Sequence, residues 1–105
     1  MPDAKRHFLV LGTDLPGRSE LRARLRPSHR EWLREHPGHA ITVVHGGPTL
    51  DGQGAMNGTL LIVAAAHEAQ VRAFLAADPY TRNGLFAEVT VREWMWSLRT
   101  TETGA

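Results

Sequence analysis

Residues 41–65 read ITVVHGGPTLDGQGAMNGTLLIVAA: a β-branched run at 41–45, an aliphatic run at 59–65, and a glycine-rich stretch between them. Runs of this length bounded by Gly, Pro, Asn and Asp read as strands. Both lie between segments of helical character, so two consecutive strands occupy the centre of the chain, and this placement decides the fold. The connection 46–58 is too long for a tight hairpin and is expected to be a loop, and long loops in small domains often bind ligands.

On the N-terminal side, 19–35 is rich in Leu, Arg and Glu, with Ser19 placed as a helix cap. Pro27 interrupts this segment and predicts a break, with the helix proper beginning near Pro27 and stopping at Pro37-Gly38. Before it, 7–11 is a short apolar strand that gives way to Thr13-Asp14-Leu15-Pro16-Gly17. On the C-terminal side, 67–77 places Val71, Phe74 and Leu75 at helical spacing. Asp78-Pro79-Tyr80 ends that helix, Asn83-Gly84 makes a turn, and 86–97 reads as a long last strand. Residues 1–5 and 100–105 are expected to be loose ends of a single domain spanning 1–105.

The resulting order, strand–helix–strand–strand–helix–strand, is a ferredoxin-like split βαβ arrangement: an α+β fold with one antiparallel sheet and both helices on one face. Phe8, Leu9, Val10 and Leu11, and likewise 60–63, are apolar at odd and even positions alike. Such strands want cover on both faces, and two helices cover only one. A second copy packing sheet to sheet, as a dimeric α+β barrel-like association, is the expected cover.

The composition narrows the chemistry. The chain has 105 residues, 42% hydrophobic and 22% charged, with a net charge of +1. It has no cysteine, which excludes thiolate nucleophiles, iron–sulfur clusters and cysteine-ligated zinc. Its only lysine is Lys5, in a polar leader, where neither a P-loop nor a Schiff base would use it. The charge balance lacks the footprint of a nucleic-acid binder, and no apolar run is long enough to span a bilayer. A cytoplasmic protein without nucleic-acid or membrane partners is expected.

His29 falls on one helix face with Trp32, Leu33 and His36 and should point inward. A buried structural histidine explains the same pattern. A helix starting near Pro27 would, however, put His29 in its first turn, where the dipole favours the neutral imidazole a general base needs. Asp78 closes the second long helix, where a carboxylate gains nothing from the dipole, so a turn-forming role or a specific partner must account for it. Two helices side by side would let His29 and Asp78 meet, the carboxylate setting the tautomer of the ring. Arg26, ahead of the expected helix start, is placed to orient an anionic ligand, whereas the other arginines of 18–34, interleaved with Glu20, Glu31 and Glu35, read as a solvated face. His36, His39 and His45 lack metal-ligand spacing, so no metal is expected.

Taken in order, Arg26-Pro27-Ser28-His29, Gly46-Gly47-Pro48, Gly54, Gly58, and Asp78-Pro79-Tyr80 with Gly84 and Val91 resemble the YCII-related (YciI-like) family. The resemblance implies a dimeric ferredoxin-like domain with an active site around a histidine and an aspartate, carried over here to His29 and Asp78. It also implies chemistry that includes elimination of chloride from a chlorinated hydroxyquinol. Ser28, where alanine is commoner, and the histidine-rich stretch between His29 and Gly47 depart from the family pattern. The expected function is a small cofactor-independent enzyme, lyase- or isomerase-like, acting on a small acidic or phenolic molecule. His29 would be its acid/base and Asp78 would orient His29. The pocket would be shaped by Arg26, by Gly47, Pro48 and Met56 of the glycine-rich connection, and by Tyr80 and Trp94. Two alternatives are a non-catalytic dimeric ligand-binding module and a haem- or oxygen-handling relative, the latter needing an axial ligand.

Overall fold

The computed structural model describes residues 5–98. Its elements run β1 (Arg6–Asp14), α1 (Ser19–Glu35), β2 (Thr42–Leu50), β3 (Met56–Ala65), α2 (Glu68–Ala76), α3 (Pro79–Arg82) and β4 (Phe86–Trp94). The strands form one antiparallel sheet in the order β2-β3-β1-β4, the ferredoxin-like α+β arrangement the sequence predicts. The expected loose ends at 1–5 and 100–105 fall outside the described residues, Lys5 excepted.

Alternation along the central strands sorts their side chains. Phe8 and Val10 of β1 pair with Val63 and Leu61 of β3 and, with Val91 of β4, face the helices. Against them α2 packs Val71, Phe74 and Leu75, all buried. Trp32 of α1 stacks on Phe74 with ring centroids 5.7 Å apart, and its indole N–H donates to the Phe74 carbonyl at 3.2 Å. That bond ties the two long helices together.

The opposite face of the sheet carries Leu9 opposite Ile62 and Leu11 opposite Leu60. Leu11 and Leu60 are 37% and 36% exposed. Trp96, just past β4, lies 6.1 Å from the ring of His7 on β1 and 5.7 Å from that of His45 on β2. Its indole therefore lies over the strand between them, β3, where Ile62 and Ala64 are buried. No helix among the described residues is long and apolar enough to cross a membrane.

Four expectations are corrected. First, α1 does not break at Pro27 but runs through it. The ring removes only the bond to the carbonyl of Ala23, and both residues are exposed, so water can take that acceptor while buried Arg22 and His29 anchor the helix on either side. Ser19 is the first helical residue rather than the cap; Arg18 holds the cap position without a side-chain bond. Second, the glycine-rich connection is mostly strand. β2 continues to Leu50 and β3 begins at Met56, leaving a short hairpin turn in which the Asp51 carboxylate accepts from the N–H groups of Gln53 and Ala55, at 2.7 and 3.0 Å. Third, Asp78-Pro79-Tyr80 does not simply end a helix but opens the short helix α3. Fourth, the last strand ends at Trp94, short of residue 97.

Gly58 shows why glycine sits inside β3. A Cβ there would stand 2.5 Å from both the Gly12 carbonyl oxygen and the Thr49 hydroxyl, whereas one on Gly52 in the hairpin would meet nothing within 4 Å. Gly58→Ala is expected to cost about 1–3 kcal/mol, lowering the melting temperature by about 4–8 °C per kcal/mol. Gly52→Ala should leave it nearly unchanged. Equal melting temperatures for the two variants by circular dichroism would contradict the close approach.

Candidate active site

The continuity of α1 through Pro27 sets the phase of the site. With Arg22, Arg26, His29 and Leu33 spaced by four, three and four residues, one helix face presents all of them. Together with Arg30 they line a cavity of about 170 Å³, which β2 borders with Gly46, Gly47 and Pro48, β3 with Thr59 and α3 with Tyr80.

His29 is buried, and its Nδ1 lies 2.9 and 3.0 Å from the two carboxylate oxygens of Asp78, itself 1% exposed. A carboxylate only accepts, so Nδ1 carries the proton and donates it, and in the neutral ring Nε2 is then the acceptor. Nε2 has no partner among the described residues, yet it is not sealed from solvent, and His29 is part of the cavity wall. The ring is also clamped by Tyr80, stacked on it with centroids 3.8 Å apart and planes 14° from parallel.

Asp78 has a second bond that explains its position. It is the N-cap of α3, its Oδ1 accepting the N–H of Tyr80 at 2.9 Å, with Pro79 in the first turn. The same carboxylate thus places both rings of the stack, His29 directly and Tyr80 through the backbone. The expectation of an unfavourable helix-end carboxylate is therefore reversed, because the end that counts is the N-terminus of a helix the sequence reading did not see. The dipole rationale for His29 fails as well: it sits in the second half of α1, far from the first turn, and its tautomer is set by Asp78 alone.

Beneath the stack lies a second polar unit. Arg22 is 4% exposed and forks onto Asp14 of β1, Nε to Oδ2 at 2.6 Å and Nη2 to Oδ1 at 2.9 Å. Nη2 also donates to the Thr59 hydroxyl at 2.9 Å, and the guanidinium carbon lies 4.7 Å from the centre of the Tyr80 ring. Burial works against the charge of Arg22, but the hydrogen bond and charge of Asp14 more than offset it, and its pKa is raised. Such a buried pair is worth little net, while stranding one partner costs about 3–5 kcal/mol.

Of the expected pocket residues, Arg26, Gly47, Pro48 and Tyr80 border the cavity, although Arg26 lies within α1 rather than ahead of it. Met56 and Trp94 do not. Met56 pairs with Leu50 at the base of the hairpin, because the connection it was assigned to is strand. Trp94 pairs with His7 and so faces the side of the sheet away from the helices. Arg22, Asp14 and Thr59 were missed. Arg22 precedes His29 by seven residues, two helical turns, a signal that an assumed break at Pro27 erased. His36 and His39 gather around Trp32 and Phe74, and His45 lies on the far face, so the histidines do not converge.

Burial raises the pKa of the Tyr80 hydroxyl above that of an ordinary phenol, with Arg22 and Arg26 opposing only part of the rise. A folded-state value above the unfolded one contributes stability that is fully present below about pH 10 and is lost as pH rises through the folded value. Tyr80 is the chain's sole tyrosine, so phenolate absorbance reports it directly. The titration midpoint is expected above about 10; a midpoint at or below that of free tyrosine would remove the burial argument.

The split βαβ sheet places this chain in the class of ferredoxin-like α+β domains. Within it, this chain belongs to the YCII-related domain family, whose profile matches residues 7–95. Among solved structures, 5-chloro-2-hydroxyhydroquinone dehydrochlorinase (TftG) from Burkholderia phenoliruptrix, in complex with 2,5-dihydroxybenzoquinone, is 30% identical. The match covers 87% of this chain and 95% of that one, with a TM-score of 0.77. A putative antibiotic biosynthesis monooxygenase from Bacteroides thetaiotaomicron (12% identity, TM-score 0.56, 94% and 95% covered) shares the fold. So does PA3566 from Pseudomonas aeruginosa (14%, 0.54, 92% and 97%). No protein of curated function matches the sequence.

Proposed function

We propose that this chain is a small cytoplasmic, cofactor-independent enzyme in which His29 is the general acid/base and Asp78 its orienting partner, catalysing elimination or isomerisation on a small acidic or phenolic molecule. One observation carries the reading: His29 Nδ1 is held by both oxygens of Asp78 while Nε2 is left open at a cavity. The likeness to a dehydrochlorinase that binds a dihydroxybenzoquinone supports it.

Nε2 takes a proton from an O–H or C–H of the substrate, and Asp78 stabilises the imidazolium that forms. In an elimination, the electron pair left behind becomes a new π bond as the bond to the leaving group breaks and that group departs with its own pair. In an isomerisation, the imidazolium returns the proton at another carbon. Neutral Tyr80 supports the ring without adding a second negative charge beside it. A cavity of about 170 Å³ suits a single-ring substrate.

General acid–base catalysis contributes about 10²–10⁴ in rate, which suits substrates whose protons are already acidic. His29→Ala is therefore expected to lower kcat/KM by about that factor, and Asp78→Asn to lower kcat while leaving α3 capped. The assay is chloride release from 5-chloro-2-hydroxyhydroquinone, alongside a panel of enols, phenols and lactones. Ligand-induced stabilisation without any turnover would replace the enzyme with a binding module, and turnover indifferent to His29 would remove His29 as the acid/base.

The partly exposed Leu11–Leu60 pair on the helix-free face supports pairing with a second copy of the chain. Sedimentation velocity at micromolar concentration is expected to show a dimer that Leu60→Lys dissociates, and a wild-type monomer would exclude this association.

A further inference from the structure

Arg22, Arg26, Arg30 and Arg34 recur every fourth residue along α1, each one turn from the next. Arg22 is neutralised by Asp14. Arg26 and Arg30 both border the cavity, and neither makes a hydrogen bond or ion pair with a described residue. The acids of the helix, Glu20, Glu31 and Glu35, stand at none of the positions three or four residues from Arg26 or Arg30, so nothing on α1 compensates them. Like charges at this spacing repel, and an anion between them relieves the repulsion.

A solvated helix face accounts for Arg18 and Arg24, which are exposed and line no part of the cavity. It does not account for Arg26, which is half-buried one turn before His29 and near enough to Tyr80 to act on its hydroxyl. Two unpaired guanidinium forks on one rim match the planar geometry of a carboxylate.

We infer that the ligand of this cavity is a small carboxylic acid, its ionised carboxylate held between Arg26 and Arg30 and its acidic O–H or C–H turned to Nε2 of His29. The second half of that statement rests on the acid–base reading of His29; the charge clamp stands apart from it. The clamp makes Arg26 and Arg30 specificity determinants, selecting for the charge of the ligand, while His29 acts on its proton.

The test titrates the full chain by calorimetry with 2,5-dihydroxybenzoate and with 2,5-dihydroxybenzamide, which differ in the charged group. The acid is expected to bind about tenfold more tightly, to lose that advantage as salt is raised, and to lose most of it in Arg26→Gln and in Arg30→Gln. Affinity for the amide should fall less than affinity for the acid in either variant. Both substitutions lie at the cavity rim, and the salt dependence of the wild-type chain gives a reading independent of how the variants fold. Equal binding of acid and amide, no binding of the acid, or a preference surviving the double substitution would each overturn the clamp. His29→Gln should keep the preference. Should the preference hold while no substrate is turned over, the acid–base reading fails and the clamp stands. Turnover that depends on His29 without any preference for the acid defeats the clamp alone.

Discussion

The carboxylate of Asp78 is the constraint on which the site is built. It is almost completely withdrawn from water, which is costly for an ionised group unless every lone pair finds a donor. Its donors come from two places at once: the imidazole N–H of α1 and the backbone N–H of Tyr80 at the start of α3. Satisfying the charge therefore fixes where α3 begins, which tautomer His29 holds and how its ring lies on Tyr80. A short helix of four residues has little stability of its own; here it is held by the cap that also serves the site.

The second buried charge pair extends the same logic. Arg22 forks onto Asp14 and reaches Thr59 and Tyr80, so β1, α1, β3 and α3 are joined by one polar network below the stack. Because Arg22 is neutralised, the floor of the cavity is electrically quiet, and the positive charge that remains lies on the rim at Arg26 and Arg30. Buried polar groups that are fully satisfied hold one geometry. That rigidity is what an acid–base group needs, since proton transfer depends on where Nε2 stands relative to the reacting atom.

Much of this was legible in the residues. The two central strands, the apolar run of Phe8 to Leu11 that asks for cover on both faces, the helical spacing of Val71, Phe74 and Leu75, and the inward phase of His29 all follow from local pattern. Pro27 and the glycine-rich stretch misled for one shared reason: both are breakers by local propensity, and tertiary placement overrode them. Pro27 lies on the exposed side of α1, where its missing N–H costs one solvated carbonyl. Gly46 and Gly47 lie on an edge strand, and Gly58 is needed where β3 passes close to Gly12 and Thr49. Losing the continuity of α1 in turn hid Arg22 and detached Arg26 from His29.

By itself, the sequence determined the split βαβ order, the apolar faces that demand cover, and the absence of thiol and lysine chemistry. These are properties of composition and short-range pattern, with side chains repeating every second or every third to fourth residue. Only the tertiary structure decided that Asp78 caps a third helix, that Arg22 is a buried neutralised cation rather than a surface charge, and that Trp94 turns away from the cavity. Each depends on contacts between residues far apart in the chain, or on the face of the sheet a register selects, and neither leaves a trace in local spacing.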